Sequence, residues 1–248
     1  MGVGRVSIRR RIPERVLEGA RAPIRRSTPK VHITSDARGR TSPSAHASWW
    51  PKVRHRRDAL EASMTTERYE EAISTTRGVL ANVSKQHLGE DTPCAKWKIS
   101  DLINHLVGGQ YWFAAMVNGE ELGDGEVDFS ATDFLSAFDE GTERALAAFR
   151  ADGVMERTLK LPFGEMPGVA FLGLAATDTL THGWDLARAT GQATDLAPDL
   201  AATLLTGAKL NIPAAFRNEE GNPFGPEQTA PPGAGAADQL AAFLGRKV

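Results

Sequence analysis

The chain has 248 residues, of which 41% are hydrophobic and 24% charged, and its formal net charge is −2. This composition is ordinary for a globular protein with one large domain or two small ones. No run approaches the roughly 18–20 apolar residues of a membrane span, so we predict a soluble, cytoplasmic protein. The single cysteine, Cys94, excludes an intramolecular disulfide framework and a cysteine-rich zinc site, so any metal must be bound by His and carboxylate groups.

The charge is unevenly distributed along the chain. Residues 1–63 carry fifteen Lys and Arg against five Asp and Glu, a net charge of +10, whereas residues 64–248 carry −12. The first segment lacks sustained hydrophobic periodicity and is predicted to be disordered. Three interpretations stay open: an Arg- and Ser-rich targeting segment, a basic arm for nucleic acid or anionic lipid, or a stretch upstream of the natural start at Met64. The third is favoured because MTTERYEEAI leads directly into a helix, and an intact-mass measurement would decide.

Hydrophobic periodicity predicts a succession of helices after Met64. They are expected over residues 65–86, 100–119, 131–150, 167–191, 198–216 and 238–244. Ser100 is the expected N-cap of the second helix, with Asp101 following, and Pro213 interrupts the fifth. Residues 158–161 alternate and 163–167 supply turn residues, which favours a short hairpin or extended loop. The pattern predicts an all-α four-helix bundle with a small C-terminal helical extension.

One predicted helix carries a candidate metal-binding pair. In AATDTLTHGWDLARATG, Asp178 and His182 are four residues apart and therefore project from one helix face. The alternative is a hydrogen bond along the helix that fixes an imidazole tautomer. His105 lies on the apolar stripe of the second helix, where a packed core histidine is the alternative. If the helices face each other, two His and one carboxylate leave an open position, which is typical of a catalytic metal site. Zinc fits these ligands, and so do iron, nickel and manganese.

Three segments carry a family resemblance: TPCAKWKISDLINHLVGG, TDTLTHGWDLARATG, and the ending FGPEQ followed by LAAFLGR. Residues 64–248 resemble the metal-binding family related to mycothiol-dependent maleylpyruvate isomerase, within the wider DinB-like group of four-helix bundles. The resemblance implies a divalent metal, often zinc, bound by His105, Asp178 and His182. The characterised isomerase has Glu at the position of Asp178, so direct coordination by the shorter side chain is the least secure, with a bridging water as the alternative. It also has a larger C-terminal domain, which leaves its particular reaction open here.

The resemblance further implies that the open position serves a low-molecular-weight thiol of the mycothiol type and an electrophilic substrate. Trp112, Trp184 and Arg188 are the candidate residues around that thiol, with Arg188 pairing with a carboxylate. The alternatives are core packing for the tryptophans and a solvated helix face for Arg188. The expected function is a metal- and thiol-dependent S-transferase or isomerase, and the alternative is a non-catalytic metal-binding sensor or ligand-binding module. A monomer or homodimer is expected, and the acidic folded part is a poor nucleic-acid surface.

Overall fold

A computed structural model describes residues 63–94, 97–120, 127–212, 217 and 224–248. The predictions made for the basic segment up to residue 62, and for the end of the fifth helix at residues 213–216, lie outside the described residues. The disordered basic extension and the start at Met64 therefore stay predictions.

Six helices and one small sheet make up the described part of the chain. The helices are α1 (Thr66–Leu80), α2 (Ile99–Asn118), α3 (Phe134–Phe149), α4 (Gly168–Ala189), α5 (Pro198–Asn211) and α6 (Ala236–Phe243). Two antiparallel strands, β1 (Thr158–Leu161) and β2 (Gly164–Pro167), pair with Leu159 opposite Met166 and form the predicted hairpin. The all-α, DinB-like four-helix bundle with a short hairpin is confirmed.

The first four helices bury their apolar faces in one core. Helix α1 packs along α4, α2 packs along α3, and α2 also contacts α4 across the bundle. Helices α5 and α6 pack on each other and on α4, forming the small C-terminal extension. Helix α4 is consequently surrounded, and most of its residues are buried. None of the helices in the described ranges is long and apolar enough to cross a membrane.

Several helix ends differ from their predicted positions, and at some of them a side chain closes the terminal turn. Helix α1 ends at Leu80, six residues early, since the Asn82 amide donates to the Gly78 carbonyl at 2.9 Å. Lys98, not Ser100, is the N-cap of α2, where the Asp101 carboxylate accepts from the Lys98 backbone N–H. The remaining corrections are a start at Phe134 for α3 and a start at Ala236 for α6, and the described part of α5 ends at Asn211.

Helices α1 and α4 approach closely at Gly183. A Cβ atom at this position would lie 2.4 Å from the Thr76 hydroxyl oxygen. That hydroxyl donates at 3.0 Å to the Thr179 carbonyl, one turn earlier on α4. Because Gly183 directly follows His182, this contact fixes the backbone of α4 next to a candidate metal ligand.

Candidate metal centre

Helices α2 and α4 bring the three predicted ligands together at the edge of the core. The Nε2 atom of His105 lies 3.3 Å from Oδ1 of Asp178, and Nε2 of His182 lies 3.4 Å from the same oxygen. The two imidazole rings meet edge to face with their centroids 4.6 Å apart. The Asp178 side chain is 24% exposed and that of His105 18%, so the cluster is open to solvent on one side.

The separations between these donor atoms fit a small divalent cation. Metal–nitrogen and metal–oxygen bonds of about 2.0–2.1 Å at tetrahedral angles place neighbouring donors about 3.3 Å apart. The two His–Asp separations match that edge length, and all three donor atoms lie within 4.8 Å of one another. The shorter Asp178 side chain therefore reaches the two imidazoles as it stands, and the donor set fits a metal with at least one open position.

The charges of the cluster favour a cation at its centre. Burial opposes ionisation of Asp178, but the neighbouring His105 and His182 hold the pKa of its carboxyl far below the usual value. Burial also disfavours a charged His182, yet the carboxylates of Asp178 and Asp185 raise the pKa of this imidazole to about 9. Without metal, a proton on His182 therefore balances the charge of the Asp178 carboxylate, and a metal ion would replace that proton.

A second carboxylate orients His182 from behind. Asp185 is fully buried, and its Oδ2 lies 2.9 Å from Nδ1 of His182. In the neutral, metal-binding form of His182, Nδ1–H would donate to this oxygen, which would leave the Nε2 lone pair directed at the Asp178 side. Arg246, beyond the end of α6, donates to both oxygens of Asp185, from Nε at 3.2 Å and from Nη2 at 2.9 Å. Asp185 follows His182 by three residues and so shares its helix face, but no local sequence pattern indicates which cation would hold it.

The loop before α2 contributes two more side chains. The Trp97 ring lies over both imidazoles, with centroid distances of 4.7 Å to His105 and 5.6 Å to His182. Cys94 lies on the other side of His182, 3.9 Å from the Arg246 guanidinium. Burial raises the pKa of the Cys94 thiol to about 12, so this thiol is protonated at neutral pH.

Two overlapping groups of potential ligands occur among the described residues. The first is His105, Asp178 and His182, and the second is Cys94, His182 and Asp185. In the second group the Arg246 guanidinium already contacts both the Cys94 sulfur and the Asp185 carboxylate. A cation there would face a fixed positive charge, so the first group is the candidate metal centre.

A buried polar network beneath the centre holds α1, α2 and α4 in register. The Tyr69 hydroxyl donates to the Gln110 side-chain oxygen, and the Gln110 amide donates to the Thr179 hydroxyl at 3.1 Å. All three residues are fully buried, and Thr179 is adjacent to Asp178. Sequence reasoning missed this network, because a glutamine and a threonine on helices give no periodic signal that distinguishes a buried pair from exposed ones.

The three predicted thiol-binding residues are not brought together. Trp112 lies two turns beyond His105 on α2, packed against Phe113, Phe163 and Phe171, and its indole N–H is buried with no partner among the described residues. Trp184 is 1% exposed, and its indole N–H donates to Asp238 of α6 at 2.8 Å. Arg188 is exposed near the end of α4. Of the three, Trp112 alone has a buried polar group without a partner, and Trp184 packs in the core.

A helical bundle with an open two-His, one-carboxylate cluster defines the structural class, and sequence comparison gives the family. The family profile described as Mycothiol maleylpyruvate isomerase N-terminal domain matches residues 69–187. Two proteins of Mycobacterium tuberculosis, Uncharacterized protein Rv0738 of strain H37Rv and Uncharacterized protein MT0763 of strain CDC 1551 / Oshkosh, are similar to this chain. Each is 42% identical over 193 residues, covering 76% of this chain and 100% of the relative. No solved structure matches significantly. The chain belongs to the mycothiol maleylpyruvate isomerase N-terminal domain family.

Proposed function

We propose that the protein binds one divalent metal ion, with zinc favoured, through His105, Asp178 and His182, and uses the open side of this centre to activate a low-molecular-weight thiol of the mycothiol type. The observation that carries the proposal is the pair of 3.3 and 3.4 Å separations between the donor atoms. These separations match the tetrahedral edge of a zinc-sized ion, and one side of the cluster is open to solvent.

The reacting thiol must come from outside the chain. Cys94 is the single cysteine of the sequence, and the pKa of its thiol is raised to about 12 by burial. A protonated thiol that is also held behind His182 is a poor nucleophile. A separate thiol cosubstrate is a better candidate for the nucleophile than Cys94, and the description of the chain's family names mycothiol.

The residues of the chain would hold and shield the reactants. A bound divalent ion supplies the Lewis acidity that lowers the pKa of a thiol at the open position. Trp97 covers the imidazole faces and excludes water from that side. Trp112, whose buried indole N–H has no partner among the described residues, is the proposed aromatic wall for the thiol or its electrophile. Arg188, exposed near the end of α4, is the proposed partner for a carboxylate of the thiol.

The proposed reaction is transfer of the thiol to an electrophilic carbon. The thiol gives up its proton to the solvent buffer, and the sulfur lone pair forms a carbon–sulfur bond. With a haloarene as the acceptor, the carbon–halogen bond then breaks and halide leaves with the bonding electrons. Isomerisation of a double bond by addition and elimination of the same thiol is the related outcome for an unsaturated acid.

The test begins with elemental analysis of the protein purified without chelators, alongside the variants His105→Ala and Asp178→Ala. We expect about one divalent ion per chain in the wild type, given the single donor set, and its loss in both variants. His87→Ala is the matched control, because His87 belongs to neither group of potential ligands. Absence of metal from a fully metal-supplemented wild type would refute the proposal.

The second part of the test separates an enzyme from a metal-binding module. Metal-loaded protein is incubated with mycothiol and 1-chloro-2,4-dinitrobenzene, and thioether formation is followed by absorbance. We expect turnover above that of His105→Ala. Stoichiometric metal without turnover for haloarene and unsaturated-acid acceptors would instead favour the non-catalytic sensor or ligand-binding module.

A further inference from the structure

The C-terminal end of the chain is bonded to helix α4 at two places. The first is the hydrogen bond from the Trp184 indole to Asp238, in the first turn of α6. The second is the two-point contact of Arg246 with Asp185. Both contacts join α4 to the C-terminal segment. Only the second involves a residue that also contacts a proposed metal ligand, because Asp185 lies 2.9 Å from His182.

The end of α6 is built to bring Arg246 to this position. Gly245 adopts a left-handed backbone with φ of 97°, and the Arg246 N–H donates to the Ala241 carbonyl at 3.0 Å, which ends the helix and reverses the chain. A Cβ atom at Gly245 would lie 2.6 Å from Gly225 Cα, so the turn is also closely packed. The turn places the Arg246 side chain, which is 8% exposed, in contact with the fully buried Asp185 carboxylate.

We propose that Arg246 is a positioning residue for the metal centre: it fixes the Asp185 carboxylate so that Asp185 holds the ring and tautomer of the metal ligand His182. This inference rests on the proposed metal centre and extends it to the C-terminal segment. It also gives a role to the arginine of the LAAFLGR ending, 61 residues from its partner in the sequence.

The physical reason is the cost of a buried carboxylate without its cation. Burial opposes ionisation of Asp185, and the Arg246 guanidinium with His182 holds the pKa of that carboxyl below its usual value. With the guanidinium removed, Asp185 loses the two hydrogen bonds that fix its plane, and its geometry toward His182 Nδ1 is no longer defined. Loss of such an outer contact typically lowers metal affinity about 10–100-fold.

The experiment compares two variants that each remove one contact between α4 and the C-terminal segment. Arg246→Met keeps an unbranched side chain but removes the charge, and Asp238→Ala removes the acceptor of the Trp184 indole. Zinc affinity is measured by competition with a chromophoric chelator, and the ligand field is followed by the visible absorption spectrum of the cobalt-loaded protein. We expect Arg246→Met to lower zinc affinity by about tenfold or more and to alter the cobalt spectrum, whereas Asp238→Ala leaves both as in the wild type.

Unchanged affinity and spectrum in Arg246→Met would overturn the inference, and so would an equal loss in Asp238→Ala, which would indicate general loosening of the fold. If Arg246→Met does not fold, the comparison uses Arg246→Lys, which keeps the charge but not the two-point geometry; we expect a smaller loss of affinity, and an unchanged value overturns the inference. A wild type that fails to bind metal refutes the proposed metal centre, whereas a wild type and an Arg246 variant that bind equally refute only the role of Arg246.

Discussion

Two imidazole nitrogens converge on a single carboxylate oxygen, and this arrangement determines how protons compete with metal. His182 is central because its two ring nitrogens face different carboxylates, Asp178 on the open side and Asp185 behind. The pair at i and i+4 was predictable from helix geometry, and the convergence of His105 required only that α2 face α4. The replacement of Glu by Asp at position 178 does not prevent contact, because the backbones lie close enough for the shorter side chain to reach.

The affinity of the proposed centre for metal should keep rising at pH values well above those at which an ordinary histidine loses its proton. The pKa of His182 is raised from 6.5 to about 9 in the metal-free protein, and a ligand imidazole must be neutral. Below about pH 9 each metal ion therefore displaces a proton, so zinc affinity should increase by up to about tenfold per pH unit. The measurement is a chelator competition titration between about pH 6 and about pH 8, read against the ordinary histidine pKa near 6.5.

A zinc affinity that no longer changes above about pH 7 would contradict this prediction, because it would place His182 near its ordinary pKa. The same shift affects the metal-free fold with a definite sign. A folded-state pKa above the unfolded value stabilises the protein fully below the unfolded pKa of 6.5, and this contribution is lost as the pH rises through about 9.

Contacts between residues that are far apart in the sequence could not be predicted at the scale of single residues. Trp97 belongs to the W-x-x-x-D-L-x-x-H segment that carries the family resemblance, so a signal for it was present, but its position over both imidazoles depends on the loop before α2. The pairing of Asp185 with Arg246 depends on how α6 returns to α4, and no local pattern encodes that path. Trp184 adjoins His182 in the sequence, but its indole N–H donates to Asp238 of α6, a contact that no local pattern indicates.

At the scale of helices, periodicity identified each element and its approximate place, and side-chain hydrogen bonds that it does not register close the end of α1 and the start of α2. The contact between α1 and α4 shows what periodicity omits. Gly183 has no apolar side chain to register in a pattern, yet it is the point where Thr76 reaches the α4 backbone. The register of these two helices is thus determined by a small residue and a hydroxyl, and not by the size of the apolar faces.

Substitution of Gly183 by Ala should destabilise the fold although alanine is the better helix former. The new Cβ would meet the Thr76 hydroxyl at 2.4 Å, which requires Thr76 or the helix to shift. We expect a loss of about 1–3 kcal/mol in the free energy of unfolding, measured in urea. Gly78→Ala on α1 is the matched control, because nothing lies within 4 Å of its Cβ position; a gain of roughly 0.5–1 kcal/mol is expected there. Equal effects of the two substitutions would contradict the close approach.

The buried network between α1, α2 and α4 should behave as a coupled unit. Tyr69→Phe leaves the Gln110 side-chain oxygen buried without its donor, which should cost about 1–3 kcal/mol. The double variant Tyr69→Phe, Gln110→Leu removes both polar groups and should lose less than the sum of the two single variants. Urea unfolding of the four proteins gives this double-mutant cycle, and additive losses would show that the two groups do not interact.

At the scale of the whole molecule, the candidate metal centre lies between two helices that belong to different pairs of the bundle. Helix α2 packs mainly with α3 and helix α4 mainly with α1, so His105 on one side and Asp178 with His182 on the other lie across the interface between these pairs. The sequence predicted the bundle and the facing ligands together, because ligands on two amphipathic helices can meet only if those helices share a core. It did not predict which helices pair most closely, since the apolar stripes of all four are similar.

A ligand that bridges the two helix pairs should stabilise the whole fold and not a local segment. Binding only to the folded state contributes about 4 kcal/mol when the free metal is 1,000-fold above its dissociation constant. For a chain of this size, a shift of roughly 2–4 °C in Tm per kcal/mol follows, so zinc should raise Tm by about 10 °C. Differential scanning calorimetry of chelator-treated and zinc-loaded protein gives the comparison. His87→Ala should keep the shift and His105→Ala should lose it, because only His105 connects α2 to the ion. A shift that persists in His105→Ala would mean that zinc stabilises the protein from another site, and the ion would then have no place between the two helix pairs.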